Sequence, residues 1–278
     1  MNGPILSIIT VNFNNNLGLL KTLESVSSQS FSSYEHIIID AGSTDGSRET
    51  IIQYEKENPH LSFWSSESDK GIYHGMNKGI DHAKGQYLYF LNSGDCLSQD
   101  ILAKIPFDGT EYLYGDTILF YKRKTKKRVY PDTLDLIYLS DNSLHHQSCF
   151  IHHTLFKDKR YDINYKIISD WAHCFQCLII ENRTYRHLPY IISECDGRGI
   201  SSNGKELNQE RTLWFQNTFP ATQSKVFIDC AALDRSGFRD IIHILANTHK
   251  FKKRMKTLIL FLYKINNLFS YKHKRIKN

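Results

Sequence analysis

Apolar and polar positions in the first hundred residues fall into blocks with two alternating periods. Near-continuous apolar runs at residues 5–11, 35–40, 61–65 and 86–91 (ILSIITV, EHIIID, LSFWS, QYLYFL) have the length and the β-branched and aromatic content of strands buried on both faces. Between them lie stretches of helical spacing. Residues 17–28 place Leu19, Leu20, Leu23 and Val26 on one face, residues 47–57 follow Asp45 as an N-cap, and residues 73–83 end before Gly85 as a closing glycine. Successive strands joined by single helices make right-handed crossovers and a mostly parallel sheet. The predicted fold class is therefore α/β, with a Rossmann-like half at residues 1–97.

Beyond residue 98 the pattern loosens to mixed α and β. Residues 112–121 and 126–130 read as a hairpin around the basic turn KRKTKKR, residues 147–152 as a strand, 169–181 as a helix and 185–193 as a strand. From residue 205 the pattern is helical. No Pro/Gly-rich linker separates these parts, so the expectation is one domain over residues 1–204, with halves at 1–97 and 98–204, followed by a helical extension over 205–278.

Composition narrows this picture. With 278 residues, 41% hydrophobic and 23% charged, and no low-complexity tract or repeat, the chain is globular rather than disordered or solenoidal. Residues 1–4 lack a basic region and the apolar run after them is strand-like, so no export signal is expected. Six scattered cysteines then imply reduced thiols in a cytoplasmic protein. Cys174 and Cys177 form a lone CxxC in mid-helix, which favours core packing over zinc or redox chemistry.

The net charge of +6 is unevenly placed. Residues 250–278 hold ten Lys or Arg and no acid, leaving the first 249 residues at −4, with 25 cations against 29 acids. Six cations in seven residues at 122–128 read as a solvated hairpin tip. Without interleaved aromatics, and with an acidic main domain, nucleic acid is excluded as a partner.

Two polar clusters carry the candidate chemistry. The second strand ends on Asp40 inside IIIDAGSTDGS, which places a carboxylate, small polar side chains and free amides at the carboxyl edge of the sheet, where open α/β sheets bind ligands. Such an edge suits a nucleotide, whose base donates to a carboxylate and whose phosphates favour amides and a helix N-terminus. The fourth strand ends in Asn92, Ser93, Gly94 and Asp95 at the same edge, where oxygen groups suit Mg²⁺ or Mn²⁺ against a diphosphate. His145, His146, His152 and His153 do not make a metal site, because the intervening strand holds the two pairs roughly 20 Å apart at about 3.3 Å per residue.

Taken in order, SIITVNFNN, TLESVSSQSF, IIIDAGSTDGS, ESDKGIYHGMNKGI, GQYLYFLNSGD, HQSCF and SDWAHCF resemble the family 2 glycosyltransferases of GT-A fold, and in particular small bacterial surface-polysaccharide enzymes of the colanic acid type. The resemblance runs over about residues 4–204. It implies an inverting transfer of one sugar from a nucleoside diphosphate sugar, most naturally a UDP-sugar, to a glycan or polyprenyl diphosphate-linked acceptor. Thr10, Asn12, Asn14, Asp40 and Ser43 are then expected at the nucleotide, with Asp40 on the base. Asp69, Lys70, Asn77 and Lys78 are expected near the nucleoside or diphosphate, and Asn92, Ser93 and Asp95 at the family's acidic motif.

Where many relatives read Asp, any residue, Asp, Asp, this chain keeps one carboxylate. Asp95 is thus the implied ligand of Mn²⁺ or Mg²⁺, shared with the diphosphate. Asp170 matches the family's base, which takes the proton from the acceptor hydroxyl; a first-turn helix acid is the competing reading. His146 and Gln147 match the HQ motif and Trp171 is placed to stack an acceptor sugar, although a polar strand start and a packed indole explain the same residues.

The tail carries Phe251, Met255, Leu258, Leu262, Ile265 and Phe269 at helical spacing among basic residues, while its purely apolar stretch 258–263 is too short to span a bilayer. An interfacial helix peripheral at the inner membrane leaflet is expected, with packing on the catalytic domain or in a homodimer as the competing use. The absence of a QxxRW string favours single-sugar transfer over polymerisation. A nucleotidyltransferase is a poorer reading for want of an N-terminal Gly-rich loop with Lys. A catalytically silent scaffold that has lost its acidic motif is the remaining alternative.

Overall fold

The computed structural model describes residues 3–199 and 204–237, so the basic amphipathic tail lies outside the described residues. The elements in chain order are β1 (Leu6–Asn12), α1 (Asn16–Ser27), β2 (Tyr34–Asp40), α2 (Ser47–Glu57), β3 (Leu61–Ser66), α3 (Ile72–His82), β4 (Tyr87–Phe90), β5 (Cys96–Leu97), β6 (Tyr112–Tyr121), β7 (Lys124–Arg128), α4 (Leu136–Asp141), β8 (Cys149–His152), α5 (Ser169–Phe175), β9 (Tyr185–Asp196), α6 (Gly204–Thr218) and α7 (Ala221–Arg235). A π-helical turn, Gln176–Ile180, continues α5.

The strands form one sheet in the order β3-β2-β1-β4-β8-β6-β9-β5, with β7 paired to β6. The expected parallel half is present: β3, β2, β1 and β4 run parallel, with one register shift between His36 and Ile37 where β2 pairs with β3. Past β4 the sheet turns mixed. β8 is antiparallel to β4 and β6, while β6 runs parallel to β9.

The unbroken apolar runs of β1 and β2 follow from helices on both sides. Ile38 packs with Leu19, Leu23, Ile51 and Tyr54 beneath α1 and α2. Ile9, Val11, Ile37 and Ile39 face the other way, onto Met76 and Ile80 of α3. The approach of α3 is close enough that a Cβ on Gly79 would lie 2.4 Å from Ile9 Cγ2, so only glycine fits there. Gly85 acts in the same way against the Ser7 backbone rather than closing α3, whose last turn ends at an extended Ala83.

Three other local expectations are corrected. Leu20 is exposed, because the inner face of α1 is set by Gly18, Leu19, Thr22, Leu23 and Val26. Asp45 lies one residue before the N-cap of α2, where its carboxylate accepts from the Ser47 and Asn16 amides. Most of the basic run is strand: β7 pairs with β6 from Lys124 to Arg128, leaving Lys122 and Arg123 as the turn. Cations along an unpaired outer edge protect it from further strand addition.

The helical extension joins the core. Trp214, Phe215 and Phe227 belong to the same cluster as Trp171 and Phe175, with Trp171–Trp214 centroids 5.2 Å apart and Phe175–Phe227 5.5 Å apart. The four described cysteines from Cys149 to Cys195 are buried free thiols, as core packing requires.

Buried histidines give the fold a pH limit. His36 is enclosed between the Thr10 hydroxyl and Tyr54, and burial lowers its pKa to about 3; burial likewise lowers His145 and His173 to about 4. The unfolded chain binds protons at these rings near pH 6.5, whereas the fold does not until far lower, so stability falls as pH drops below 6.5. The expected slope is up to about 1.4 kcal/mol per pH unit for each ring. Urea unfolding at pH 7.5, 6 and 5 checks this, and a midpoint that holds steady down to pH 5 contradicts it.

Candidate active site at the carboxyl edge of the sheet

The ends of β1 and β2 are laced together by short polar side chains. Asp40 is fully enclosed: one oxygen accepts from Asn12 Nδ2 (2.7 Å) and the Ser43 hydroxyl (2.5 Å), the other from the Ser43 amide (2.9 Å) and the Ser66 hydroxyl (2.6 Å). Burial opposes its charge, but these donors outweigh burial and hold its pKa below the ordinary carboxylate value. Asn14, in the left-handed region at φ 46°, donates its amide to Ser43 and accepts from the Thr44 amide. Asn12 Oδ1 is buried without a partner, facing this junction.

On the other flank of β1 the chain leaves β4 through Asn92–Asp95. Gly94 takes φ +100°, which an L side chain rarely adopts. The turn is pinned by α1, because Thr22 accepts from the Gly94 amide (2.9 Å) and donates to the Asp95 carbonyl (2.7 Å). Asn12 pairs with Asp40 on one side of β1, and the Ser93 amide donates to Val11 on the other. Asp40 and Asp95 therefore close neighbouring parts of one edge, about two strand spacings or ~10 Å apart.

Asp95 is buried, and burial raises its pKa despite hydrogen bonds from Gln147 Nε2 (2.7 Å) and the Asp196 amide (3.2 Å). Asn92 Nδ2 lies 3.0 Å from His146 Nε2, while Asn92 Oδ1 is buried with no partner.

His146 connects this turn to α5. Its Nδ1 lies 2.8 Å from Asp170 Oδ2; since Asn92 donates to Nε2, the ring proton sits on Nδ1 and is given to Asp170. Asp170 Oδ1 accepts from the Tyr73 hydroxyl (2.8 Å) and the Trp171 amide (2.8 Å). Burial pushes the Asp170 pKa up, but His146, Tyr73 and the Trp171 amide together bring it below the usual range. The carboxylate stays charged and oriented while retaining 18% side-chain exposure.

These groups face one cleft of about 660 Å³. Asn92, Ser93, Asp95, His146, Gln147 and Asp170 line it, together with Tyr121, Lys126 and Arg128 from the β6–β7 hairpin, Lys166, and Arg211 from α6. Of the sequence-derived candidates, the cleft therefore joins the fourth-strand turn, the HQ pair, Asp170 and Trp171. Asn12, Asn14 and Ser43 sit at the adjoining edge beside β1.

Several candidates have their polar groups engaged within the protein. Thr10 is fully buried, its hydroxyl 2.9 Å from His36 Nε2, and both Asp40 oxygens are engaged by the Asn12, Ser43 and Ser66 donors. Asn77 staples the chain at Tyr161, donating to its carbonyl and accepting from its amide. Lys78 pairs with Glu67 at 2.8 Å, and Asp69 caps the Gly71 amide. Lys70 is exposed outside the cleft lining. Trp171 lines the cleft but is 2% exposed, and it donates its Nε1–H to the Leu139 carbonyl, so most of its indole is packed in the core. Gln147 contributes its amide to Asp95.

Two contributors escaped the sequence reading. Tyr73 sits inside GIYHGMNKG, where its helical spacing reads only as an apolar contact. Arg211 lies on a helix whose sequence gives no sign that a cation turns inward.

The glycosyl transferase family 2 model matches residues 7–165. An uncharacterized glycosyltransferase of Mycobacterium tuberculosis (strain H37Rv) is 41% identical over 103 residues, which is 36% of this chain and 38% of that protein, so the chain spans well under half the length of this relative. A PGL/p-HBAD biosynthesis glycosyltransferase of Mycobacterium bovis BCG is 27% identical over 73% of this chain and 81% of its own. Among solved structures, S. aureus TarS 1-349 in complex with UDP-GlcNAc has a TM-score of 0.61 at 14% identity, covering 89% of this chain and 77% of that one. The mannosyltransferase PcManGT from Pyrobaculum calidifontis, in complex with GDP-Man and Mn²⁺, has a TM-score of 0.60 at 15% identity, covering 96% and 83%. With its parallel half, its edge turn after β4 and a family match over more than half its length, this chain belongs to glycosyl transferase family 2 and has the GT-A fold.

Proposed function

We propose that the protein transfers one sugar from a nucleoside diphosphate sugar, with inversion, to a hydroxyl of a glycan or polyprenyl diphosphate-linked acceptor in cell-surface polysaccharide assembly. The observation that carries this reading is the sharing of one cleft by the Asn92–Asp95 turn and the Asp170 carboxylate, with His146 bridging them. The named relatives are glycosyltransferases, one of them of PGL/p-HBAD biosynthesis, which supports sugar transfer by this chain. The UDP-GlcNAc and GDP-Man complexes of the two structural neighbours support a nucleotide-sugar donor, for which UDP is our choice.

With the diphosphate at the Asn92–Asp95 turn and the nucleoside along the edge at Asn12, Asn14 and Ser43, Asp170 remains on the acceptor side. The acceptor oxygen forms its bond to the anomeric carbon as the bond to the diphosphate oxygen breaks, and that electron pair leaves with the nucleoside diphosphate. Asp170 takes the acceptor proton on Oδ2, whose second lone pair is left free by His146. A carboxylate of depressed pKa suffices, because bond-making to a cationic sugar carbon acidifies the attacking hydroxyl.

Mg²⁺ or Mn²⁺ fits the residues present. Asp95 and the partnerless Asn92 Oδ1 are hard oxygen donors, and the raised pKa of Asp95 marks a buried carboxylate that a cation would offset. Among the described residues no group of three His, Cys, Asp or Glu holds a metal unaided, so the diphosphate supplies the remaining oxygens. When bound, the ion neutralises charge on the departing diphosphate.

Thermal unfolding with a panel of UDP- and GDP-sugars tests the donor. At a hundredfold excess over Kd a true donor adds about 2.7 kcal/mol, a melting shift of several degrees that should shrink when EDTA replaces Mn²⁺. If no nucleotide sugar moves the melting point, the proposal fails.

The residue 251–278 tail is proposed to hold the enzyme on the anionic cytoplasmic leaflet of the membrane, beside a lipid-linked acceptor. No helix among the described residues is long and apolar enough to cross a bilayer. Flotation with phosphatidylglycerol-containing liposomes should carry the full chain up the gradient and leave behind a form ending at residue 250. Equal flotation of the two rejects this role.

A further inference from the structure

The reading of Asp170 as the base leaves open what fixes α5, a helix of seven residues whose first turn carries no side-chain cap. The neighbouring contacts come from α6, which lies outside the segment matched by the family model. Glu210 reaches across to the loop before α5 and accepts from the backbone amides of Lys166 (3.0 Å) and Ile167 (2.9 Å). The Tyr73 hydroxyl lies 2.7 Å from the Ile167 carbonyl and 2.8 Å from Asp170 Oδ1, so its single proton is shared between this loop and the carboxylate.

The next residue of α6 grips the other side. Arg211 is 4% exposed, and its guanidinium lies over the Trp171 indole at 4.8 Å. It donates to the Asp141 carbonyl and to the Ser143 hydroxyl (2.5 Å), at the end of α4. Trp171 donates its own Nε1–H to Leu139 of α4. Consecutive side chains of one helix thus hold the residues on both sides of Asp170, and Arg211 Nε, buried without a partner, belongs to a residue lining the cleft.

We infer that Glu210 and Arg211 form a positioning clamp through which the C-terminal helical extension sets Asp170 in place for proton transfer. The inference rests on the proposed role of Asp170. A buried guanidinium whose hydrogen bonds go to a carbonyl and a hydroxyl, and which the Asp141 and Asp170 carboxylates attract through space, is a costly way to glue one helix to a domain. Its planar fork and flat face are what stacking on Trp171 while bonding to α4 demands, and lysine cannot reproduce both. Holding α5 from two sides has a functional return, since misplacing a catalytic group by about 1 Å can cost about a hundredfold in rate.

The test uses the full-length protein, with a UDP-sugar, Mn²⁺ and a lipid diphosphate sugar as acceptor, and compares Arg211→Ala, Arg211→Lys, Glu210→Gln and Asp170→Asn. Expected are a kcat loss of tenfold to about a hundredfold in Arg211→Ala and Glu210→Gln, KM for the donor within twofold of wild type, incomplete recovery in Arg211→Lys, and partial recovery of Arg211→Ala by added guanidinium. Nucleotide-induced melting shifts, unchanged in the folded variants, confirm that the donor site is intact. Should Arg211→Ala and Glu210→Gln fold, bind nucleotide and keep wild-type kcat while Asp170→Asn is inactive, the clamp is wrong and the base assignment stands. Loss of kcat strictly in proportion to the folded fraction, without guanidinium rescue, also overturns it. If wild type shows no transfer, or Asp170→Asn keeps it, the failure belongs to the functional proposal.

Discussion

Asp170→Asn is expected to bind the nucleotide sugar within about twofold of wild type and to lose sugar transfer by about 10²- to 10⁴-fold, the range ascribed to a positioned base. The amide keeps an oxygen for the Tyr73 hydroxyl and the Trp171 amide, and its NH₂ faces a His146 ring that can switch tautomer if the Asn92 amide turns its partnerless oxygen toward the new Nε2–H, so the fold around α5 should persist. What disappears is the acceptor for the hydroxyl proton. The measurement is kcat with saturating donor beside a melting curve with and without nucleotide. Turnover near the wild-type value would remove Asp170 from the chemistry and return it to the status of a first-turn helix acid.

Asp40→Ala should act chiefly on the fold and, through it, on donor affinity. The carboxylate gathers four donors at zero exposure, and removing it strands the Asn12 amide and the Ser43 and Ser66 hydroxyls. Bonds to a charged group and unsatisfied buried partners together set a loss of about 3 kcal/mol, enough to lower the urea midpoint by roughly 1 M or more at ordinary m-values. The β1–α1 and β2–α2 loops then lose their lacing, so nucleotide-induced stabilisation should be largely abolished even where the variant remains folded. An unchanged midpoint would mean that the network contributes little. An unchanged nucleotide response would separate Asp40 from the donor edge.

The parts of the fold legible in the sequence are those whose burial is uniform. β1 and β2 are covered on both faces by α1, α2 and α3, so their residues must be apolar throughout, and the strand–helix alternation up to β4 emerges with boundaries close to those observed. The second half has no such uniform burial. The long parallel pairing of β6 with β9 joins segments more than seventy residues apart and shifts register at Gly115–Thr117, which no local period encodes.

The site divides along the same line. Asn92 and Asp95 stand out because polar groups close a strand at the α/β edge, whereas Asp170 and His146 are reached only through the family resemblance. The resemblance points Thr10 and Asn77, and stacking capacity points Trp171, toward a ligand, but residue type does not say which neighbour uses that capacity. In the folded chain His36, Tyr161 and the Trp214 cluster take those capacities. Arg211 shows the converse, since an arginine on a helix is ordinarily solvated, and only the packing of α6 on α5 makes it a buried partner of Trp171.

The central claim is that one small molecule bridges the β1–β2 edge and the cleft. A crystal structure with UDP and Mn²⁺ tests it most directly. The account predicts the diphosphate against Asn92 and Asp95, with the ion touching Asp95 and the uridine along Asn12, Asn14 and Ser43. Ordered nucleotide away from this turn, for instance on the β6–β7 cations with Asn92 Oδ1 and Asp95 untouched, would contradict it.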